Sequence, residues 1–322
     1  MARWTSAVLA AAALALGIAG CGRDQGTTIA VIPKADTFTF WPAVHRGADA
    51  AGEELGVNIV WRGAKDETSP TDQIKIVEAM IARRVDGIVL APQHANSLVD
   101  VVEQAVEKGI PVVIIDSGLN SDKYVSFVAT DNYQGGVMGA ERLAKIIGEE
   151  GEVALIRNIP GAASTEAREK GFLDTIEKHY PEIEVVEEQH AMGTSTEAQT
   201  KVKNILKSHP GLEGIFTANE PGAIGAVNAV ENAELVGKVK IVGFDASEDL
   251  IKALRSGTLD STIVQAPYEM GYQGVHLLCK HLQGEEVEEK VNTPIKLVTQ
   301  QNLDSEEIQQ HLAAYRPDAK AR

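Results

Sequence analysis

The sequence predicts an α/β fold in which two Rossmann-like lobes with parallel sheets follow one another along the chain. Three observations carry this. Short β-branched runs alternate with amphipathic helical stretches from Thr28 onward, Gly and Pro punctuate the joins, and near residue 130 the alternation restarts instead of ending. A chain of 322 residues with 44% hydrophobic content has enough apolar surface for two ordinary cores.

Residues 1–20 read differently from everything after them. Arg3 supplies a short basic region, and Ala7 to Leu16 (AVLAAAALAL) is an unbroken apolar run of signal-peptide length, too short to span a bilayer. Ile18-Ala19-Gly20-Cys21 then resembles the lipobox of bacterial lipoproteins, which implies cleavage before Cys21 and a diacylglyceryl group on its sulfur. The plainer alternative is an ordinary signal peptide followed by a chance cysteine. Residues 21–27 read as the linker behind such an anchor.

The first lobe opens with TIAVI, followed by a helix carrying Val44, Ala48, Ala51 and Leu55 on one face, then VNIVW. A helix with Ile74, Val77 and Ile81 leads through Asp86-Gly87 into IVLA, and another with Leu98, Val101, Ala105 and Val106 leads through Lys108-Gly109 into PVVIID. After SFVATDN come a helix from about Tyr133, VALI, a helix near Ser164, IEVVE, a helix near Thr196, GIFTA, a helix from Gly222, KIVGFD, a short helix and STIVQ. A helix through Leu277 and a last strand near IKLVT remain. From Asp304 the chain is charged and carries Pro317, so residues 304–322 are expected to be a helix fraying into a tail.

Charge and cysteine usage exclude several roles. The net charge is −16, and loss of residues 1–20 would remove one arginine and no acid, so the field repels phosphate backbones and nucleic acid is not an expected partner. With Cys21 lipidated, Cys279 has no partner for a disulfide and reads as a small buried hydrophobe. The eight histidines are scattered with no metal-ligand spacing, so neither a metal nor a cofactor is expected.

Ligands of open parallel sheets bind at the carboxyl ends of the strands. There the segment Pro33 to Pro42 holds Lys34 and the aromatics Phe38, Phe40 and Trp41, in a chain with only 5% aromatic residues. A flat apolar ring beside hydrogen-bonding groups suits a sugar, whose C–H face stacks while its hydroxyls radiate outward. One ring could instead be a hydrophobic staple before the helix. Asp116-Ser117, Asn219-Glu220, Asp245 and Gln265 end later strands, and carboxylates and amides pair well with vicinal hydroxyls. Helix capping is the alternative for each taken alone.

The segments VDGIVLAP, GIPVVIID, SFVATDNYQGG, AREKGF, GIFTANE, KIVGFDAS and STIVQAP, in this order and spacing, resemble the periplasmic sugar-binding proteins of the ribose-binding type, whose fold is shared with the ligand-binding part of LacI-type repressors. The resemblance runs from about Thr28 to Thr299. It implies a type I periplasmic binding protein: a clamp joined by three crossover hinge strands near Ala129–Asp131, Gln265–Pro267 and Thr293–Ile295. The lobes would then be 28–130 with 266–293, and 131–265 with 294–303. It also implies that Phe40 and Trp41 flank a sugar ring, that Asp116 binds hydroxyls, and that Arg168, Asn219, Asp245 and Gln265 grip the ligand from the second lobe.

Departures from the ribose-binding pattern bear on the ligand. Ser117 stands where those proteins carry arginine, Ala191 to Thr194 lacks an expected aromatic, and Lys34 is extra. A larger or partly anionic ligand would fit these changes, with Lys34 as counter-charge; alternatively Lys34 is solvated. The expected function is a lipid-anchored, monomeric solute-binding protein, outside the cytoplasm, handing a sugar or polyol to the permease subunits of an ABC importer. One alternative is a sensor docking its closed form on a chemoreceptor or histidine kinase. Another is a carbohydrate-active enzyme using Asp116, Glu220 and Asp245.

Overall fold

The computed structural model describes residues 26–36 and 39–316. The proposed signal peptide, Cys21, Phe38 and Pro317 lie outside these residues. In chain order the first sheet and its helices comprise β1 (Thr28–Ile32), α1 (Phe40–Leu55), β2 (Asn58–Trp61), α2 (Pro70–Arg83), β3 (Gly87–Leu90), α3 (Val99–Glu107), β4 (Val112–Ile115) and β5 (Ser126–Thr130). The chain then crosses to α4 (Asn132–Ile147), β6 (Gly151–Arg157), α5 (Ala163–His179), β7 (Ile183–His190), α6 (Ser195–Ser208), β8 (Leu212–Thr217), α7 (Glu220–Asn232), β9 (Lys240–Phe244), α8 (Glu248–Ser256) and β10 (Ser261–Val264). It returns to the first lobe for α9 (Pro267–Leu282) and β11 (Lys290–Thr293). It crosses again to β12 (Lys296–Thr299) and α10 (Glu306–Ala313).

The two sheets have matching strand orders, β11-β5-β4-β3-β1-β2 and β12-β10-β9-β8-β6-β7. The first is parallel throughout; the second ends on an antiparallel edge, with Ser261 opposite Thr299. Alternation along each strand builds the cores. On the first sheet Ile29, Val31, Val89 and Val113 face α1 and α9, while Ile32, Ile88, Leu90 and Ile114 face α2 and α3. On the second, Val153, Leu155 and Phe216 meet α4 and α5, and Ile156, Ile215 and Ile241 meet the opposite helices. Cys279 is buried in the first lobe.

Helix pairs pack backbone to backbone in both lobes, α1 with α9 in the first and α4 with α5 and α6 with α7 in the second. A Cβ on Gly47 of α1 would fall 2.0 Å from the Tyr268 carbonyl oxygen of α9, and one on Gly136 of α4 would fall 1.9 Å from that of Arg168 on α5. Only glycine permits either approach.

Two regions depart from the sequence expectations. β11 is an unforeseen strand, because KVNT has one apolar side chain and sits on an edge where half-exposure leaves no hydrophobic run to read. The helix expected after Asp304 forms as α10 and ends at Ala313, but the segment is packed rather than a loose tail as far as Arg316. Ile308, Leu312 and Tyr315 are buried in the second lobe, and Ser305 caps α10 by accepting from the Ile308 N–H. Its charged residues had concealed this stripe.

Candidate ligand-binding site

The carboxyl ends of the two sheets face each other across a cleft. At matching places, directly after β4 and β9, the chain sets Asp116 and Asp245 in the left-handed region (φ 61° and 72°). Each backbone N–H reaches the neighbouring strand, Asp116 to the Val128 carbonyl at 3.0 Å and Asp245 to the Ile263 carbonyl at 2.8 Å. Left-handed geometry at a non-glycine residue carries strain, and here the bond to the next strand holds it. Neither aspartate caps the helix that follows; Asp131 and Ser247 cap α4 and α8.

The first lobe supplies an aromatic wall and one ion pair. Phe40 and Trp41 form the first turn of α1, edge to face with centroids 4.9 Å apart. Trp41 Nε1 donates to Glu67 at 2.9 Å, and burial pushes the Glu67 carboxyl up. Lys34 Nζ lies 2.7 Å from Asp116 Oδ2, with both side chains 5% exposed. Gln93 donates to the carbonyls of Lys34 and Asp66, which ties together the loops after β1 and β2.

The second lobe supplies a polar wall. Arg168 on α5 is fixed from three sides. Its Nε donates to Asn132 Oδ1 at 2.8 Å, one terminal nitrogen donates to the Ala218 carbonyl at 2.9 Å, and the guanidinium lies 3.8 Å above the Phe244 ring. Asp245 accepts from Gln265 Nε2 at 2.6 Å and from the Glu220 N–H at 3.1 Å. Burial raises its carboxyl, against the opposing pull of Arg168. Asn219 caps α7 through Oδ1, leaving its amide nitrogen without a partner among the described residues. The buried Asn158 Oδ1 and Gln265 Oε1 accept no hydrogen bond from any described residue. Buried amide oxygens are rarely left so, and both belong to residues that line the cleft.

Direct bonds close the lobes on each other. Lys34 Nζ donates to Ser164 Oγ at 3.0 Å, the Thr39 N–H and hydroxyl both donate to Glu220 at 3.2 Å, and the Ala95 N–H reaches the Gly161 carbonyl at 2.9 Å. Glu220 is raised to about 8 by burial and, next, by the charge of Asp245. The space between the walls, counting what opens to solvent, is about 410 Å³.

Lys34, Phe40, Trp41, Asp116, Arg168, Asn219, Asp245 and Gln265 all line this cleft. Ser117 does not. Its hydroxyl accepts from the Ser164 N–H at 3.1 Å, so it satisfies a free N–H at the start of α5, where Ala162 offers no side-chain cap. Lys34 is not solvated, and with its charge already paired it is no free counter-charge for an anion. Glu67, Asn158, Ser164 and Thr165 also line the cleft and were missed. Glu67 stands in the loop after β2, a strand end whose acid could have been read by the rule applied to the other loops.

Residues 29–286 match the model of the periplasmic binding protein domain. A ribose import binding protein of Haemophilus influenzae is 30% identical over 296 residues, covering 92% of this chain and 98% of that protein. An ABC transporter solute-binding protein of Agrobacterium vitis, solved with bound D-fucose, is 39% identical with a TM-score of 0.85, covering 88% of this chain and 98% of the other. A second from the same organism, solved with α-D-tagatopyranose, is 32% identical with a TM-score of 0.86, covering 89% and 99%. With its two matched sheets, its three crossings and its interlobe cleft, the chain belongs to the periplasmic binding protein family, in the type I fold.

Proposed function

We propose that this protein captures a neutral monosaccharide by closing its two lobes and delivers it to the permease of an ABC-type importer. The observation that carries the ligand class is the pairing of an aromatic wall, Phe40 and Trp41, with buried amide oxygens on Asn158 and Gln265 that lack donors. A sugar meets both demands, with its C–H face on the rings and its hydroxyls donating to the amides. Arg168, Asn219, Asp116 and Asp245 complete the hydroxyl contacts. Lys34 is already paired with Asp116, and Arg168 is held by Asn132 and Ala218, so neither cation is left free for an anionic ligand.

In this reading residues 28–130 with 266–293 move as one body and 131–265 with 294–303 as the other, about hinges at the three crossings. The carboxylates act as acceptors and the sugar leaves unchanged. Cys21 carries the lipid that holds the protein outside the cytoplasm beside its permease; two acyl chains suffice for stable anchoring. The related transport proteins favour delivery to a permease over presentation to a sensor kinase or chemoreceptor.

A thermal-shift screen against D-ribose, D-allose, D-fucose, D-arabinose, D-tagatose and sugar acids tests the reading. Binding to the folded state alone adds about 2.7 kcal/mol of stability at a hundredfold excess over Kd. A shift with one or more neutral sugars and none with the acids is expected. A shift confined to the acids would overturn the neutral-ligand assignment.

A further inference from the structure

The segment following α10 touches both lobes. Tyr315, though two residues past the helix, is buried, and its hydroxyl reaches the Gln265 carbonyl at 3.4 Å. One helical turn earlier, His311 Nε2 lies 3.0 Å from the Val264 carbonyl. Both contacts fall where β10 gives way to the crossing into α9, and Gln265 is the cleft residue whose amide holds Asp245. From the other lobe, Arg46 on α1 donates to the Ala314 carbonyl. Ala314 is thereby bound by the first lobe, while its neighbour Tyr315 is packed into the core of the second.

We infer that residues 311–315 form a strap across the hinge, in which Tyr315 is a positioning residue for Gln265 and the Arg46–Ala314 bond favours the closed arrangement of the lobes. The inference rests on the clamp reading of the function. The backbone of Gln265 must turn when the lobes part, and its side chain must stay on Asp245 for the cleft to present a formed polar wall. A ring packed behind that peptide, held by one lobe and hooked by the other, links both requirements. The segment lies beyond the matched residues 29–286.

The test uses nitroxide labels at the exposed positions Glu78→Cys on α2 and Lys203→Cys on α6, one per lobe. The interlobe distance distribution is followed during titration with each neutral sugar named above. In Tyr315→Phe combined with Arg46→Met, the sugar concentration for half closure should rise about fivefold, as the closed form loses population. Thermal midpoints should change little, because the buried ring and the aliphatic stem both remain. Arg46→Lys, which keeps a donor, should restore half closure toward the unsubstituted value. An unchanged half-closure concentration in the combined variant would overturn the strap while leaving the clamp intact. A distance that no sugar changes in the otherwise unsubstituted protein would overturn the clamp, and the strap with it.

Discussion

The two lobes share a strand order and even a helix-packing device, yet they present opposite surfaces to the cleft. Asp116 and Asp245 occupy equivalent strand ends, both left-handed and both bonded to the next strand. Their partners differ. Asp116 is paired with Lys34, whereas Asp245 is held by Gln265 and by the N–H of Glu220. Among the described residues the aromatic rings lining the cleft, Phe40 and Trp41, come from the first lobe, while the second contributes amides, hydroxyls, carboxylates and Arg168. A duplicated scaffold therefore fixes where side chains stand, and only the loop residues decide what they do.

The largest expected effect tests the difference between the aspartates. Asp116→Ala leaves the Lys34 ammonium buried and unpaired, and breaking such a pair costs about 3–5 kcal/mol. Asp245→Ala strands no comparably unpaired cation, because Arg168 keeps its contacts to Asn132, Ala218 and Phe244. Urea unfolding should show the larger stability loss for Asp116→Ala. Equal losses would mean that the Lys34 pair is not what sets the two sites apart. Adding Lys34→Met to the Asp116 variant should recover much of the loss.

The helix pairs, by contrast, are expected to respond alike. Gly47→Ala and Gly136→Ala each place a methyl about 2 Å from a carbonyl oxygen of the partner helix. Each should cost about 3 kcal/mol, the upper part of the range for overpacking. Denaturation midpoints that fall in one lobe's variant and hold in the other's would break the equivalence of the two packings.

A smaller effect separates the walls. Trp41→Ala should weaken sugar binding more than tenfold, about 1.4 kcal/mol or more, measured by calorimetry on a variant that still unfolds cooperatively. Since the second lobe lines the cleft without an aromatic ring, no stacking surface there compensates. Wild-type affinity in Trp41→Ala would remove the aromatic wall from the site.

The scaffold was readable in the sequence because buried parallel strands are written as apolar runs: TIAVI matches β1 residue for residue. β11 was not, because an edge strand buries only one narrow stripe; the helix after Asp304 was expected, but its packing into the second lobe was not, because it too buries only a narrow stripe. At the cleft, residues that follow a strong strand were visible, as with Asp116 and Asp245. Glu67 follows β2, which is only half-buried, and Ser164 and Thr165 sit on a helix whose approach to the cleft depends on closure. Ser117 was misassigned for a similar reason. Its partner, the free N–H of Ser164, belongs to the other lobe and cannot be seen from local sequence.

The last contrast is seen only in a pH series and concerns Glu220, which crosses the cleft to Thr39. Its carboxyl is raised from 4.5 to about 8 by burial first and by Asp245 second. A carboxyl whose pKa is higher in the folded, closed protein than in the unfolded chain binds more protons there across that interval. Its stabilising contribution is therefore complete below about pH 4.5 and declines as pH rises to about 8, then levels. Glu67 and Asp245 are raised in the same sense, so the whole profile is not due to one residue. Subtracting the profile of Glu220→Gln from that of the unsubstituted protein isolates it. The difference should slope between about pH 4.5 and 8 and be flat above. A flat difference throughout would place Glu220 in water, where Thr39 could not hold it, and the lobes would then meet through Lys34, Ser117 and Ala95 without this contact.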